Sequence, residues 1–338
     1  MRIAMLGLGF MGSTHLKALA NVRDAQLVAV YSQDEKKLAG DLTSVQGNIG
    51  GGGERLDFSN VTQHRQLEAV LSDSDVEAVD ICLPTYLHDN VAVEALRAGK
   101  HVLVEKPMAL DAYGADRMLT AANRYKRTLM AAHVLRFWPA YIALREAISD
   151  HQLGLLRFAM FRRRCAAPGW GGWLQDSSRS GGGVFDLLIH DVDMCLHLFG
   201  RPEALCATGY TDVAAGIDCI DAQLFYPHGG VVSITGGWHH AGAYPFSMEY
   251  TVSVEGGTVE FSSAGRSPTL YTPDGAETPL DGGAQDGYEA EIAYFIACAN
   301  NRRQPDLCPP RESADAVKIM LLMLEARARS GRKMLCRI

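Results

Sequence analysis

Over its first third the chain alternates short apolar runs with amphipathic stretches. Residues 2–6, 26–31, 78–83, 101–104 and 128–132 are mostly apolar, with the length and continuity of strands buried on both faces. Residues 13–20, 90–98 and 112–125 lie between them and place apolar side chains at helical spacing. This strand-helix alternation predicts a doubly wound parallel sheet covered by helices. Beyond residue 126 the pattern changes. Amphipathic helices are predicted over 139–149 and 184–199, and extended segments over 155–164, 204–210, 218–226, 230–236, 246–255 and 258–262. Turns such as Glu255-Gly256-Gly257 and Pro227-His228-Gly229-Gly230 join these segments, which points to a large open antiparallel sheet. Helices over 288–300 and 311–330 follow, with Gly331 as a C-cap. The expectation is an α/β chain: a dinucleotide-binding (Rossmann) domain over 1–126 and an α+β domain over 127–338. Gly50-Gly51-Gly52-Gly53 reads as a surface loop.

A chain of 338 residues accommodates two domains of ordinary size. With 47% hydrophobic and 21% charged residues and a net charge of -7, it offers no electrostatic attraction to nucleic acid or anionic lipid. No segment approaches the roughly 18 apolar residues of a membrane span, and glycines break the apolar start where a signal peptide would end in a cleavage site. The eight cysteines are scattered without a C-x-x-C pair. They show neither zinc spacing nor a disulfide framework, and read as reduced thiols of a cytoplasmic protein without a metal site. Small-molecule chemistry is the expectation.

The sequence Gly7-Leu8-Gly9-Phe10-Met11-Gly12 stands where the first strand becomes a helix. There the glycines permit a tight turn, close approach of the backbone to a pyrophosphate, and close helix-strand packing. The cofactor is therefore NAD or NADP. At the end of the second strand, where an acidic residue would hold the ribose hydroxyls of NAD, the chain carries Ser32, with Lys36 and Lys37 nearby. These tilt the choice toward NADP, and Asp34 argues against it. Leu83, Pro84 and Thr85 follow another strand and should border the nicotinamide ribose at the carboxyl edge of the sheet. His88 either caps the next helix or touches substrate. Glu105-Lys106-Pro107 leaves the strand HVLV at the same edge, either as a surface turn or as the lining of a cleft.

Asp186 and His190 lie four residues apart on a predicted helix after Ser180-Gly181-Gly182-Gly183. One helical turn puts them on one face, about 5–6 Å apart at Cβ, so both can reach one hydroxyl group. Val184, Leu187, Leu188, Val192 and Leu196 then serve as core, and His197 is read as lying outside the spacing. Of Arg162, Arg163 and Arg164, which alternate across a strand, only part can face a cleft. Trp170, Trp173 and Trp238 read as structural rather than as sugar-stacking residues.

The sequence resembles the glucose-fructose oxidoreductase / inositol dehydrogenase / MocA family along nearly its whole length. The resemblance rests on Gly7-x-Gly9-x-x-Gly12 with His15, on Pro84-Thr85-x-x-His88, on residues 98–107 (AGKHVLVEKP), and on Gly182-Gly183-x-x-x-Asp186-x-x-x-His190-x-x-Asp193. It implies a catalytic Lys106 with Asp186 and His190 completing the active site. It also implies a cis Lys106-Pro107 bond and a homodimer or homotetramer built on the flat sheet of the second domain. The chain departs from the family at Ser32, where NAD-preferring members are acidic, and at His133, before Arg136-Phe137-Trp138-Pro139, where many members carry Asn.

The cofactor-binding set expected is thus Gly7, Gly9, Phe10, Met11, Gly12, Ser32, Lys37, Leu83, Pro84, Thr85, His88, Glu105 and Lys106. The expected reaction moves a hydride between the nicotinamide and a secondary alcohol of a sugar, sugar derivative or cyclitol. His190 is the expected base, since an ordinary histidine titrates near pH 6.5. Lys106 stabilises alkoxide charge and Asp186 orients the substrate. A nucleotide-sensing regulator without catalysis and a redox-assisted glycosidase are the alternatives on the same fold.

Overall fold

The continuous apolar runs of the first third become the strands of one parallel sheet. In the computed structural model, which describes residues 1–47, 53–149 and 153–338, these are β1 (Arg2–Leu6), β2 (Gln26–Tyr31), β3 (Thr62–His64), β4 (Ala78–Ile81), β5 (His101–Glu105) and β6 (Leu129–Ala132). Gly50 to Gly52 of the expected glycine loop lie outside the described residues. The strand order is β3-β2-β1-β4-β5-β6, with every neighbouring pair parallel. Strands β4 and β5 are buried at every position, as inner parallel strands must be, and the edge strand β6 is buried as well. Helices α1 (Phe10–Leu19), α2 (Glu35–Leu38), α3 (Leu67–Ser72), α4 (His88–Arg97) and α5 (Ala112–Tyr125) connect them. The order reverses between β1 and β4, which makes the carboxyl ends of these strands, at Gly7 and Cys82, the switch point where open sheets receive ligands.

The domain boundary expected at residue 126 falls one strand early, because β6 completes this sheet. The compact unit runs from Met1 to Val134 and takes back Gln285–Ala314, a segment that holds α9 (Gly287–Asn300). Several bonds fasten the returning segment beside β6. Thr128 Oγ1 donates to Arg303 O at 3.0 Å, Leu129 N to Gln304 Oε1 at 3.2 Å, and Cys308 Sγ to Ala131 O at 3.3 Å. Residues 127–338 are accordingly not one continuous domain.

The second unit comprises Leu135–Ala284 and Asp315–Ile338. Its strands are β7 (Leu156–Cys165), β8 (Ala204–Asp212), β9 (Ile217–Phe225), β10 (Val231–Trp238), β11 (Ser247–Val254), β12 (Gly257–Ser262), β13 (Arg266–Tyr271), β14 (Glu277–Pro279) and β15 (Met334–Leu335). Among the described residues they form one open sheet in the order β14-β13-β12-β11-β7-β10-β9-β8-β15. Every pair is antiparallel except β7 with β10. The short β13, β14 and β15 were not expected from the pattern. Helices α6 (Pro139–Ile148), α7 (Ser177–Ser180) and α8 (Gly183–Phe199) belong to this unit, and α10 (Pro310–Ala328) enters it at Asp315.

Alternation along each strand decides which face is covered. On β9, Asp218, Ile220, Ala222 and Leu224 are buried, and α8 packs across β7, β9 and β10. The registers put Phe158, Tyr210 and Ile217 together on the opposite face, where all three are exposed. All eight cysteines carry thiols. Among the described residues no helix is long and apolar enough to cross a membrane.

Candidate active site

At the switch point the glycine turn has the expected form. Gly7 has φ +101°, and a Cβ there would stand 2.5 Å from Cys82 O. A Cβ on Gly12 would collide with Gly7 O, whereas nothing lies within 4 Å of where one would stand on Gly9. Two glycines are therefore set by packing and the third leaves room over the turn. Helix α1 has no side-chain cap and no acidic residue in its first turn. No carboxylate of its own competes there with an incoming anion. A pyrophosphate fits this cradle. Phe10 and Met11 are half-buried at its rim.

Ser32 is buried, and its Oγ accepts from Asp34 N at 3.1 Å. The Asp34 carboxylate accepts from Lys36 N and Lys37 N at 2.9 and 3.3 Å, capping α2. Asp34 is thus engaged with backbone, while Lys36 is exposed and Lys37 half-buried.

Leu83 and Pro84 are half-buried and Thr85 buried at the carboxyl end of β4. Of the two roles expected of His88, the cap is not the one it takes. It makes no cap for α4. Its Nδ1 lies 2.8 Å from Pro107 O and its Nε2 2.7 Å from Leu83 O, so both ring nitrogens face carbonyls and tie two strand ends together. Burial lowers its pKa against the pull of those carbonyls. Glu105, expected along the cofactor, turns inward to His15 and is 5% exposed. Lys106 is half-buried, and the Lys106-Pro107 bond is cis, as the resemblance implied.

In the second unit α8 carries the remaining candidates. Every residue from 183 to 196 is buried except Asp186 and His190, so the spacing read from sequence marks the accessible stripe of this helix. Asp191 accepts from Arg163 Nε and Nη2, both at 2.9 Å, and Arg163 Nη2 also donates to Tyr141 Oη at 3.1 Å. Asp193 accepts two bonds from Arg136. Both acids are thereby neutralised inside the unit, and Arg136 and Arg163 are engaged with them. Arg162 and Arg164, on the other face of β7, both pair with Glu249. His197 stands seven residues from His190, two turns on and therefore on the same stripe, and its Nδ1 accepts from Arg136 Nη1 at 3.2 Å.

Asp218 was missed by the sequence reading. From β9 it accepts Val184 N at 2.8 Å, the bond that opens α8, and Arg327 Nη1 donates to its other oxygen at 2.8 Å. Trp238 is 1% exposed, and a Cβ on Gly183 would overlap its ring. Close seating of α8 on Trp238 therefore requires glycine at 183, and excludes Trp238 as a stacking surface.

Residues 1–133 match the model of an oxidoreductase family with an NAD-binding Rossmann fold, and residues 141–260 match the GFO/IDH/MocA C-terminal domain. An inositol 2-dehydrogenase of Rhizobium meliloti is 33% identical over 211 residues, covering 61% of this chain but 58% of the relative. Several of the relatives found are likewise matched over less than two thirds of their own length. A 1,5-anhydro-D-fructose reductase of Ensifer adhaerens is 36% identical over 254 residues, covering 71% of this chain and 74% of the relative. In structure the chain is similar to a levoglucosan dehydrogenase solved with NADH and levoglucosan, at a TM-score of 0.86 and 17% identity over 100% of both chains. That likeness is one of fold.

Proposed function

The chain belongs to the GFO/IDH/MocA oxidoreductase family, and from that membership we propose that it oxidises a secondary alcohol of a sugar, sugar derivative or cyclitol, or catalyses the reverse reduction. The observation that carries this reading is the helix α8, buried for four turns except at Asp186 and His190. The names of its relatives, an inositol 2-dehydrogenase and a 1,5-anhydro-D-fructose reductase, support the same substrate class.

Gly7, Gly9, Phe10, Met11 and Gly12 would hold the pyrophosphate of the cofactor, and Leu83, Pro84 and Thr85 would border its nicotinamide ribose. When bound, the nicotinamide supplies the hydride acceptor or donor. His190 takes the hydroxyl proton, Lys106 stabilises the negative charge that develops on the oxygen, and Asp186 orients the substrate. Ser32 in place of an acid, with Lys37 beside it and Asp34 engaged by backbone, favours NADP over NAD. The exposed face that bears Phe158 and Tyr210 is the surface through which copies would associate as a dimer or tetramer. The thiols fit a reducing cytoplasm.

The test is a panel of sugars, sugar acids and inositols offered with NAD and NADP separately, followed by cofactor absorbance. Turnover on at least one polyol is expected, abolished by Lys106→Ala with cofactor binding kept. A panel that reduces neither cofactor, or wild-type rates in Lys106→Ala, would overturn the proposal.

A further inference from the structure

Strand β4 carries a carboxylate, Asp80, in the middle of the parallel sheet, 2% exposed. A charge so placed needs a partner, and α1 supplies it. His15 is wholly buried, with Nδ1 2.9 Å from Asp80 Oδ2. On the other side of the ring, Nε2 stands 3.1 Å from Glu105 Oε1, an ionic contact that lies off the line of a hydrogen bond. A neutral imidazole has a single N–H. A ring that meets carboxylates at both nitrogens is matched by them only as the imidazolium.

The surrounding charges favour that form. Burial works against a charged ring, but Asp80 and Cys82 together more than reverse it and hold His15 well above the ordinary histidine value. Burial would likewise raise Glu105, yet His15, then Lys106 and His88, keep it below the usual carboxylate range. Two cations, His15 and Lys106, thus balance two anions, Asp80 and Glu105. Cys82 Sγ lies 3.6 Å from Nδ1, and burial together with Asp80 keeps it a thiol. From α9, Tyr288 packs against the ring at a centroid distance of 6.0 Å, with Glu291 acting on it.

Glu105 has a second bond: its Oε2 accepts from Lys106 N at 2.9 Å. The carboxylate that meets His15 therefore also grips the backbone that carries the lysine. We propose that His15 is a positioning residue. Clasped between Asp80 and Glu105, it fixes the carboxylate that holds the Lys106 backbone, and so sets the lysine against the phosphate turn that begins its own helix. This rests on the reading of Lys106 as catalytic.

The experiment combines histidine nitrogen NMR of the full chain with kinetics on the polyol that the panel turns over fastest. The His15 ring is expected to be doubly protonated at pH 7, where an ordinary histidine is mostly neutral. A neutral ring at pH 7 overturns the proposal. In His15→Gln, which removes the cation, kcat should fall about tenfold with KM within about twofold. Wild-type kcat, or a loss carried by KM instead, also overturns it. If His15→Gln does not fold, Glu105→Gln serves instead: loss of one anion should lower the pH at which the His15 ring gives up its second proton, and an unchanged ring sinks the idea. Lys106→Ala, measured alongside, separates the two readings. Full turnover there removes the role of Lys106, whereas lost turnover there with wild-type rates in His15→Gln removes only the positioning role.

Discussion

Asp193 accepts from Arg136 Nε at 2.8 Å and from Nη2 at 2.7 Å, and neither side chain has any exposed surface. The pair joins the middle of α8 to the turn Val134–Phe137. Removing one member leaves a buried charge without its counter-charge. Asp193→Asn should therefore lose about 3 to 5 kcal/mol, read as a lower urea midpoint at unchanged slope. A shift below about 1 kcal/mol would show that the pair is solvated in solution. Asp191→Asn, opposite Arg163, should behave alike.

Gly183→Ala tests the seating of α8. The added methyl overlaps the ring of Trp238, so the helix must move or the indole must turn, at a cost of about 1 to 3 kcal/mol. Tryptophan fluorescence should shift with the melting temperature. Turnover should fall further than stability explains, because Asp186 lies less than one turn along the displaced helix.

Acid should weaken the fold through two histidines that serve as acceptors. His101 Nδ1 accepts from Thr128 N at 3.1 Å, and His197 Nδ1 accepts from Arg136, so each must be neutral. Burial and the neighbouring arginines lower both pKa values to about 4. Because the folded values lie below the unfolded value near 6.5, the stability they contribute is complete above about pH 6.5 and is lost as pH falls toward 4. Chemical denaturation at pH 7 and at pH 5 should show the loss. His197→Asn should flatten the difference, and an undiminished pH dependence in that variant would contradict the assignment.

Cofactor choice is open to one substitution. Ser32→Asp puts a carboxylate where a 2′-phosphate would lie, and should move the NADP/NAD ratio of kcat/KM toward NAD by at least about tenfold. An unchanged ratio would show that the end of β2 does not read the ribose.

The elements formed by local periodicity were legible in the sequence, and the glycine turn and the one-turn spacing of Asp186 and His190 lie where they were expected. What escaped was pairing at a distance. Spacing in GVFDLLIHDVD marks Asp186, but the withdrawal of Asp191 and Asp193 shows only when the arginines 28 and 57 residues away are brought up to them. His88 looked like a cap because its helix begins there, and only the fold places two carbonyls at its ring. Asp80 did leave a signal. A carboxylate inside AVDICL demands a buried partner, but its identity, 65 residues away, belongs to the topology. The boundary failed for the same reason, since a helix that returns to the first sheet has the same periodicity as one that does not.

That return sets an order of events during synthesis. Helix α9 packs on α1, and Asn21 bonds to Glu289 across them. A ribosome releases all six strands of the first sheet long before the segment that packs on α1 and borders β6. The nucleotide-binding unit must therefore wait, with the flank of α1 uncovered, until Ala314 has emerged, by which time most of the second unit is already outside the tunnel. A fragment ending at Val134 should be the aggregating half of this chain.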